Sequence, residues 1–198
     1  MTITYRLSDS LYVNMTNRCS NRCDFCIRNF GDTIGGSDGL WLDREPTVDE
    51  TTESILKNAD GCREIVFCGY GEPLMRLDDV TAVIKKVKPL LNLPFRINTN
   101  GQADLIHGRE TACALAGLVD TVSISLNAPD AQGYDHVCHS DYGEKSFDAL
   151  LRYASDCKRF VPHVILSVVD VMPADGIEKC RQIASKIGVD FRVREMIK

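Results

Sequence analysis

The sequence predicts an α/β fold, a partial (β/α)6 barrel of six parallel strands preceded by a short N-terminal strand. Three observations predict it. From Leu11 onward, short apolar runs suited to strands alternate with stretches of helical periodicity, the pattern of repeated βαβ units joined by right-handed crossovers. The chain has 198 residues, 44% of them hydrophobic, enough for one sizeable core, so a single domain spanning 1–198 is expected. The polar, glycine-bearing segments fall at the carboxyl ends of the strands, where parallel α/β architectures place ligands.

In chain order, Ile3, Tyr5 and Leu7 alternate with polar residues, Ser8-Asp9-Ser10 offers a turn, and Leu11, Val13 and Met15 alternate again. Two short strands joined by a hairpin follow from that. The second leads into a polar turn bearing cysteines. Arg28 to Pro46 is non-periodic and carries Gly31, Gly35, Gly36, Gly39 and the only tryptophan, Trp41; a loop this long in a compact domain is either functional or disordered. Thr47-Val48-Asp49-Glu50 reads as a capping box, with Val48, Ile55, Leu56 and Ala59 on one helical face behind it. Glu64 to Cys68 is a strand ending in the turn Gly69-Tyr70-Gly71-Glu72-Pro73, and Val80, Val83, Ile84 and Val87 mark a helix closed by Pro89. Phe95 to Thr99 is the next strand, ending at Asn100-Gly101. Arg109 to Ala116 reads as a helix ended by Gly117, and Thr121 to Leu126 as a strand. Phe147, Leu150, Leu151, Ala154 and Cys157 mark a further helix, and His163 to Val171 a strand. Ile177, Cys180, Ile183, Ala184 and Ile187 form the last helix, stopped by Gly188, before a final strand over Asp190 to Met196.

Strands buried on both faces of a parallel sheet read as continuous apolar runs, whereas these alternate. Leu11, Val13, Ile65, Phe67, Phe95, Ile97, Val122, Ile124, Leu126, Phe191 and Val193 share one face, which the helices need. Tyr12, Asn14, Arg96, Asn98, Asn100, Ser123, Ser125, Asn127, Ser167, Arg192 and Arg194 are left on an inner face. That many polar groups in a dry interior would cost on the order of several kcal/mol, so water or a ligand must meet them. Arg96 and Arg192, near strand starts, read as paired with Glu64 or Glu195 or as reaching solvent at the barrel floor. Arg194, nearer a carboxyl end, is the candidate to grip a carboxylate or phosphate of a small, polar, anionic substrate or of a cofactor.

A net charge of -5 argues against general nucleic-acid or membrane-surface binding. No charged start leads into an apolar core and no apolar run is long enough to span a bilayer, so a cytoplasmic location without membrane contact is expected. Nine cysteines is an odd number that suits reduced thiols and a metal centre better than a disulfide framework. Cys62, Cys68, Cys113, Cys138, Cys157 and Cys180 are spread singly, and most of them read as buried small residues. His136 and His139 read as loop residues.

Cys19, Cys23 and Cys26 are different. They stand in a C-x3-C-x2-C array with Arg18, Asn21, Arg22 and Asp24 interleaved, which core packing does not explain. A saturated iron–sulfur cubane takes four protein thiolates and a structural zinc four ligands, so three thiolates leave one metal position open for another molecule. A zinc-binding interaction module drawing a fourth ligand from elsewhere and an electron-transfer protein are the rival classes.

With Phe25 before its last cysteine, the array resembles the cluster motif of the radical S-adenosylmethionine (SAM) enzymes. The resemblance extends over nearly the whole chain, because a six-stranded partial barrel is the core of those enzymes. It implies a [4Fe–4S] cluster on Cys19, Cys23 and Cys26, SAM chelating the fourth iron, and a one-electron reductant such as flavodoxin or ferredoxin. SAM would be cleaved to methionine and a 5′-deoxyadenosyl radical that abstracts a substrate hydrogen. The glycine-rich turn resembles the family's Gly-Gly-Glu motif, which implies SAM contacts by Tyr70, Gly71 and Glu72. Glu72 is then expected to matter for SAM affinity more than for folding, since Pro73 fixes the turn. Ser125 and Asn127 correspond to the segment that reaches the SAM ribose and carboxylate, and Phe25 lies on the cofactor side. Tyr12, Asn98, Asn100 and Arg194 are left as substrate-facing candidates. No adenine-framing motif is evident in His163 to Met172. Within the superfamily, the run from Cys19 to Phe30 is most similar to the TatD-associated radical SAM proteins, which implies a functional link to a TatD-type hydrolase. 7-Carboxy-7-deazaguanine synthases and glycyl-radical-enzyme activases are the alternatives.

Overall fold

The computed structural model describes residues 1–31 and 39–196. Strands β1 (Thr4–Leu7) and β2 (Ser10–Val13) form the opening antiparallel hairpin. The chain then alternates through α1 (Val48–Asn58), β3 (Glu64–Phe67), α2 (Leu77–Val87), β4 (Phe95–Thr99), α3 (Ala103–His107) and β5 (Thr121–Ser125). It continues with α4 (Ala131–Cys138), α5 (Lys145–Cys157), β6 (His163–Val169), α6 (Ala174–Ile187) and β7 (Asp190–Arg194). The strands lie in sequential order in one 7-stranded sheet, with every pair from β2 to β7 parallel. Among the described residues β1 and β7 have one neighbour each, so the barrel is open. No helix among the described residues is long and apolar enough to cross a membrane.

The capping box forms as expected, the Thr47 side chain accepting from the Glu50 N–H and the Glu50 carboxylate from the Thr47 N–H. The helix expected over Arg109 to Ala116 does not form. The chain makes α3 earlier, ends it at Gly108 with φ 63°, and keeps only a 3-10 turn at Ala112–Leu115. Glycine takes that left-handed angle without the Cβ penalty and stops the helix. Asp104 then accepts from both the N–H and the hydroxyl of Thr111, fixing the break. Helix α4 was not anticipated: it has Gly133 inside and buries only Tyr134 and Cys138, too little apolar patterning to read, and Asp130 caps it by accepting from the Gly133 N–H.

Register explains the two faces. Val13, Phe67, Ile97, Val122 and Val164 lie in one row across five strands, all buried beneath the helices. The next positions along the strands give the opposite face, with Tyr12, Val66, Arg96, Thr121 and His163 in one row and Asn98, Ser123 and Ile165 in another. This inner face is polar but not uniformly so, since Val66, Ile165 and Val169 also line it. At the open edge, Val193 on the apolar face stays 39% exposed.

Candidate active site

The segment from Asn14 to Cys26 leaves β2 and is docked by its own backbone onto the far side of the barrel mouth. Arg22 N–H donates to the Cys138 carbonyl at 2.9 Å, Asp24 N–H to that of Val137 at 3.1 Å, and Asp141 N–H to that of Ser20 at 2.8 Å. Beneath it lies a buried polar network centred on Gln102, which is 0% exposed. Gln102 Oε1 accepts from Ser20 Oγ at 2.8 Å and Ser140 Oγ at 3.2 Å, while Nε2 donates to Asn21 Oδ1 at 2.9 Å and Tyr134 OH at 3.1 Å. Asn21 Nδ2 donates to the same Tyr134 oxygen, and Asn100 Nδ2 to Ser20 Oγ. In a low-dielectric interior such a satisfied network is rigid. Asn100 is part of this network, its Oδ1 accepting from Gln102 N–H and its Nδ2 donating to Ser20 Oγ, so its amide braces the cysteine loop.

The three loop cysteines are free thiols, partly exposed. Asn21 N–H points at Cys19 Sγ (3.4 Å) and Arg28 Nε–H at Cys26 Sγ (3.3 Å). Burial, then the Glu72 carboxylate, push the Cys19 thiol up to about 12. Cys23 is raised by hydrogen bonding to Cys138 and by burial. Thiols in such a place surrender their protons to a metal, which supplies the missing positive charge. Among the described residues no three His, Cys, Asp or Glu side chains converge on one ion position. A zinc ion would need that convergence; a cubane gives each cysteine a separate iron at its own corner.

The Gly69–Pro73 turn lies against this segment. A Cβ on Gly69 would run into the Asn14 side chain, and one on Gly71 into the Thr16 and Arg18 carbonyls, while Glu72 N–H donates to the Arg18 carbonyl at 2.8 Å. The glycines therefore allow close approach to the protein's own cysteine loop. Glu72 is buried, with Oε1 accepting from Leu74 N–H and Thr99 Oγ1 and Oε2 accepting from Asn100 N–H. Its carboxylate ties the turn to β4. Tyr70 OH donates to the Gly31 carbonyl, and its ring meets Trp41 edge-on at 5.1 Å. The described part of the loop after Cys26 is held too: Asn17 and Leu42 exchange two hydrogen bonds, and Asn14 Nδ2 donates to the Leu40 carbonyl. Gly35 and Gly36 lie outside the described residues. Phe25 packs against the core, and Tyr12 is half-buried with its ring 5.3 Å from that of Tyr5.

Arg194, Ser125, Asn98 and Asn127 stand toward the carboxyl ends of the strands, on or just beyond the inner face. Arg194 Nη2 reaches Ser125 Oγ at 3.4 Å, and its buried Nε has no partner. Burial lowers the Arg194 pKa, with Arg192 and Arg96 adding to that and Cys68 and Tyr12 opposing it. Asn98 Oδ1 and Asn127 Oδ1 are also buried without a donor, and Asn127 holds its side chain there from a left-handed backbone at φ 53°. Arg96 pairs with Glu64 at 2.7 Å, as its place near a strand start suggested. Cys68 belongs here as well, its thiol raised by burial with Asn98 opposing the rise; its inner-face parity, two residues beyond Val66, was the signal that sequence reasoning passed over.

The family model described as the radical SAM superfamily matches residues 13–187. The chain belongs to the radical SAM superfamily. Solved structures of the fold agree. Methylornithine synthase (PylB) superposes with a TM-score of 0.66 at 16% identity, covering 95% of this chain and 53% of that one. SuiB of Streptococcus suis, solved bound to S-adenosylmethionine, gives 0.64 at 16% identity over 96% of this chain and 38% of its own. Among curated relatives, a probable GTP 3',8-cyclase of Methanothermobacter marburgensis is 30% identical over 138 residues, 69% of this chain. Another, from Thermococcus kodakarensis, is 26% identical over 192 residues, 94% of this chain. The chain spans 41% and 56% of the lengths of these two relatives. Radical SAM proteins carry a [4Fe–4S] cluster and SAM, and the three partly exposed thiols with N–H donors aimed at two of their sulfurs are a donor set that fits the cluster.

Proposed function

We propose that the chain is the catalytic core of a radical SAM enzyme whose substrate is small, polar and anionic and binds on the inner face of the sheet. Cys19, Cys23 and Cys26 hold the cluster, and Ser125, Asn127 and the Tyr70-Gly71-Glu72 turn flank SAM. When bound, the two cofactors supply a 5′-deoxyadenosyl radical that takes a hydrogen atom from the substrate. The protein's share is to orient the substrate and keep water out.

The observation that carries this reading is Arg194. Among the described residues its Nε has no partner, and its one hydrogen bond is to the neutral Ser125 hydroxyl. An uncompensated cation set back from water is costly, and an anionic ligand group removes that cost through a planar, forked contact. Asn98 Oδ1 and Asn127 Oδ1 ask in addition for hydroxyl or amine donors. A compound carrying a carboxylate or phosphate together with hydroxyls or amines meets both demands.

The name of the curated relatives, GTP 3',8-cyclase, favours a second reading in which the anion is a nucleotide phosphate. The run from Cys19 to Phe30 supports the TatD-associated reading and its hydrolase link. Free thiols throughout suit a reducing, cytoplasmic setting with a flavodoxin or ferredoxin as electron donor. The test is to incubate reconstituted, reduced protein with SAM and anion-exchange fractions of cell extract, or with GTP, and to follow 5′-deoxyadenosine. Formation should be stimulated by an anionic fraction and lose that stimulation in Arg194→Gln while SAM still binds. Equal stimulation of parent and variant, or a stimulating compound that is uncharged, would refute the assignment.

A further inference from the structure

Three arginines surround the cluster cysteines, and they are not equivalent. Arg18 is paired with Glu45 at 2.7 Å and Arg22 with Asp141 at 2.5 Å, both on the exposed side of the loop. Arg28 lies in the 3-10 turn Ile27–Asn29 directly after Cys26. Its Nε–H donates to Cys26 Sγ at 3.3 Å, Nη1 to the Asn17 carbonyl at 3.4 Å and Nη2 to the Asn21 carbonyl at 3.3 Å. Those carbonyls stand two residues to either side of Cys19, so the guanidinium is clamped across the loop with one edge against sulfur. Burial pulls the Arg28 pKa down, yet interaction with Cys26 and then with Cys19 and Cys23 carries it above its ordinary value. All three sulfurs lie within its field.

We propose that Arg28 is the residue that poises the cluster for reduction, its fixed charge and its N–H on the Cys26 sulfur holding the reduction potential up. The step concerned is the gain of one electron from the external reductant, [4Fe–4S]2+ to [4Fe–4S]+, with no bond formed or broken and no proton moved. The added negative charge spreads onto the thiolate ligands, so a cation and an N–H donor at a sulfur stabilise the reduced form more than the oxidised one. Arg28 acts through Cys26 and is a positioning residue, not one that touches substrate.

The inference rests on the cluster reading, and the experiment separates the two. Parent, Arg28→Gln and Arg28→Lys are reconstituted anaerobically, assayed for iron and sulfide per chain, and titrated potentiometrically with the reduced cluster followed by its EPR signal. Arg28→Gln should hold the parental iron and sulfide while its reduced-to-oxidised ratio at a fixed potential drops about tenfold, or about 59 mV for a one-electron couple. Arg28→Lys, which keeps the charge but loses the planar contact, should fall between Gln and parent. A purely structural arginine would change cluster content and leave the potential of the loaded fraction alone. An unchanged potential in loaded Arg28→Gln overturns the proposal. If Gln abolishes loading, Arg28→Lys decides by the same criterion: a lower potential supports it and the parental potential overturns it. Failure of the parent to bind iron and sulfide would instead overturn the cluster reading.

Discussion

Replacing Glu72 by alanine should destabilise the protein, and by an amount that depends on pH. The side chain receives three donors, the N–H groups of Leu74 and Asn100 and the Thr99 hydroxyl. The hydroxyl can rotate away, but the two backbone N–H groups are buried and fixed; leaving each unpaired costs about 1–3 kcal/mol, so the loss is about 2–6 kcal/mol. The carboxyl itself is raised by burial from 4.5 to about 7, the donors opposing this only in part. A folded-state pKa above the unfolded one means that the group's contribution is full below about 4.5 and is lost as pH rises through about 7. At about 1.36 kcal/mol per pH unit, that loss comes to about 3 kcal/mol. Alanine has no such titration. The deficit of Glu72→Ala relative to parent should therefore be largest on the acid side and shrink by up to about 3 kcal/mol by pH 8. Urea unfolding of the metal-free, reduced proteins at pH 5.5 and pH 8 measures it, about 2 kcal/mol of the change falling between those two values. Equal stability of the two proteins at both pH values, or a deficit that grows with pH, would refute the reasoning.

Alanine at all of Cys19, Cys23 and Cys26 should abolish iron and sulfide incorporation with little change in the far-UV spectrum of the apo-protein; retention of iron and sulfide would remove these residues from the cluster. Gly71→Ala should push the turn away from the Thr16 and Arg18 carbonyls it now touches, lowering both SAM binding and stability by about 1–3 kcal/mol as overpacking does. Calorimetry with SAM and thermal melts check this, and parental values in both would show that the contact yields without consequence.

The fold was legible because its signals are local. Alternation within strands assigned Leu11, Ile65 and Phe95 to one face, and the register puts those three in one row. The Thr47 capping box needed only four consecutive residues. Where the signal was weak, as in α4 with its glycine and its two buried side chains, the element was missed. The candidate site was legible in its cysteines and in the polar parity of the strands that carry Asn98, Ser125 and Arg194. Its supporting shell was not. Ser20 and Gln102 are 82 residues apart, Asn21 and Tyr134 113, and no periodicity links such pairs. Glu72 was recognisable as part of a motif, but its partners Thr99 and Asn100 lie on the next strand, so its bracing role could not be read from the motif. Subgroup identity was beyond the residues as well, since the relatives carry a different name from the one that the cysteine run suggested.

Among the described residues β7 pairs only with β6, so one of its backbone edges is open to a neighbouring strand. Its side chains oppose this. Asp190, Arg192 and Arg194 occupy every second position on the inner face, and Asp190 and Arg192 are exposed. A second β7 laid alongside in parallel register would set Asp190 against Asp190 and Arg192 against Arg192 and force them to shed water, a means by which natural sheets discourage edge-to-edge growth. The open edge of the sheet is thus bordered by charges that discourage parallel pairing of one β7 with another, and Arg194 belongs both to that edge and to the candidate site.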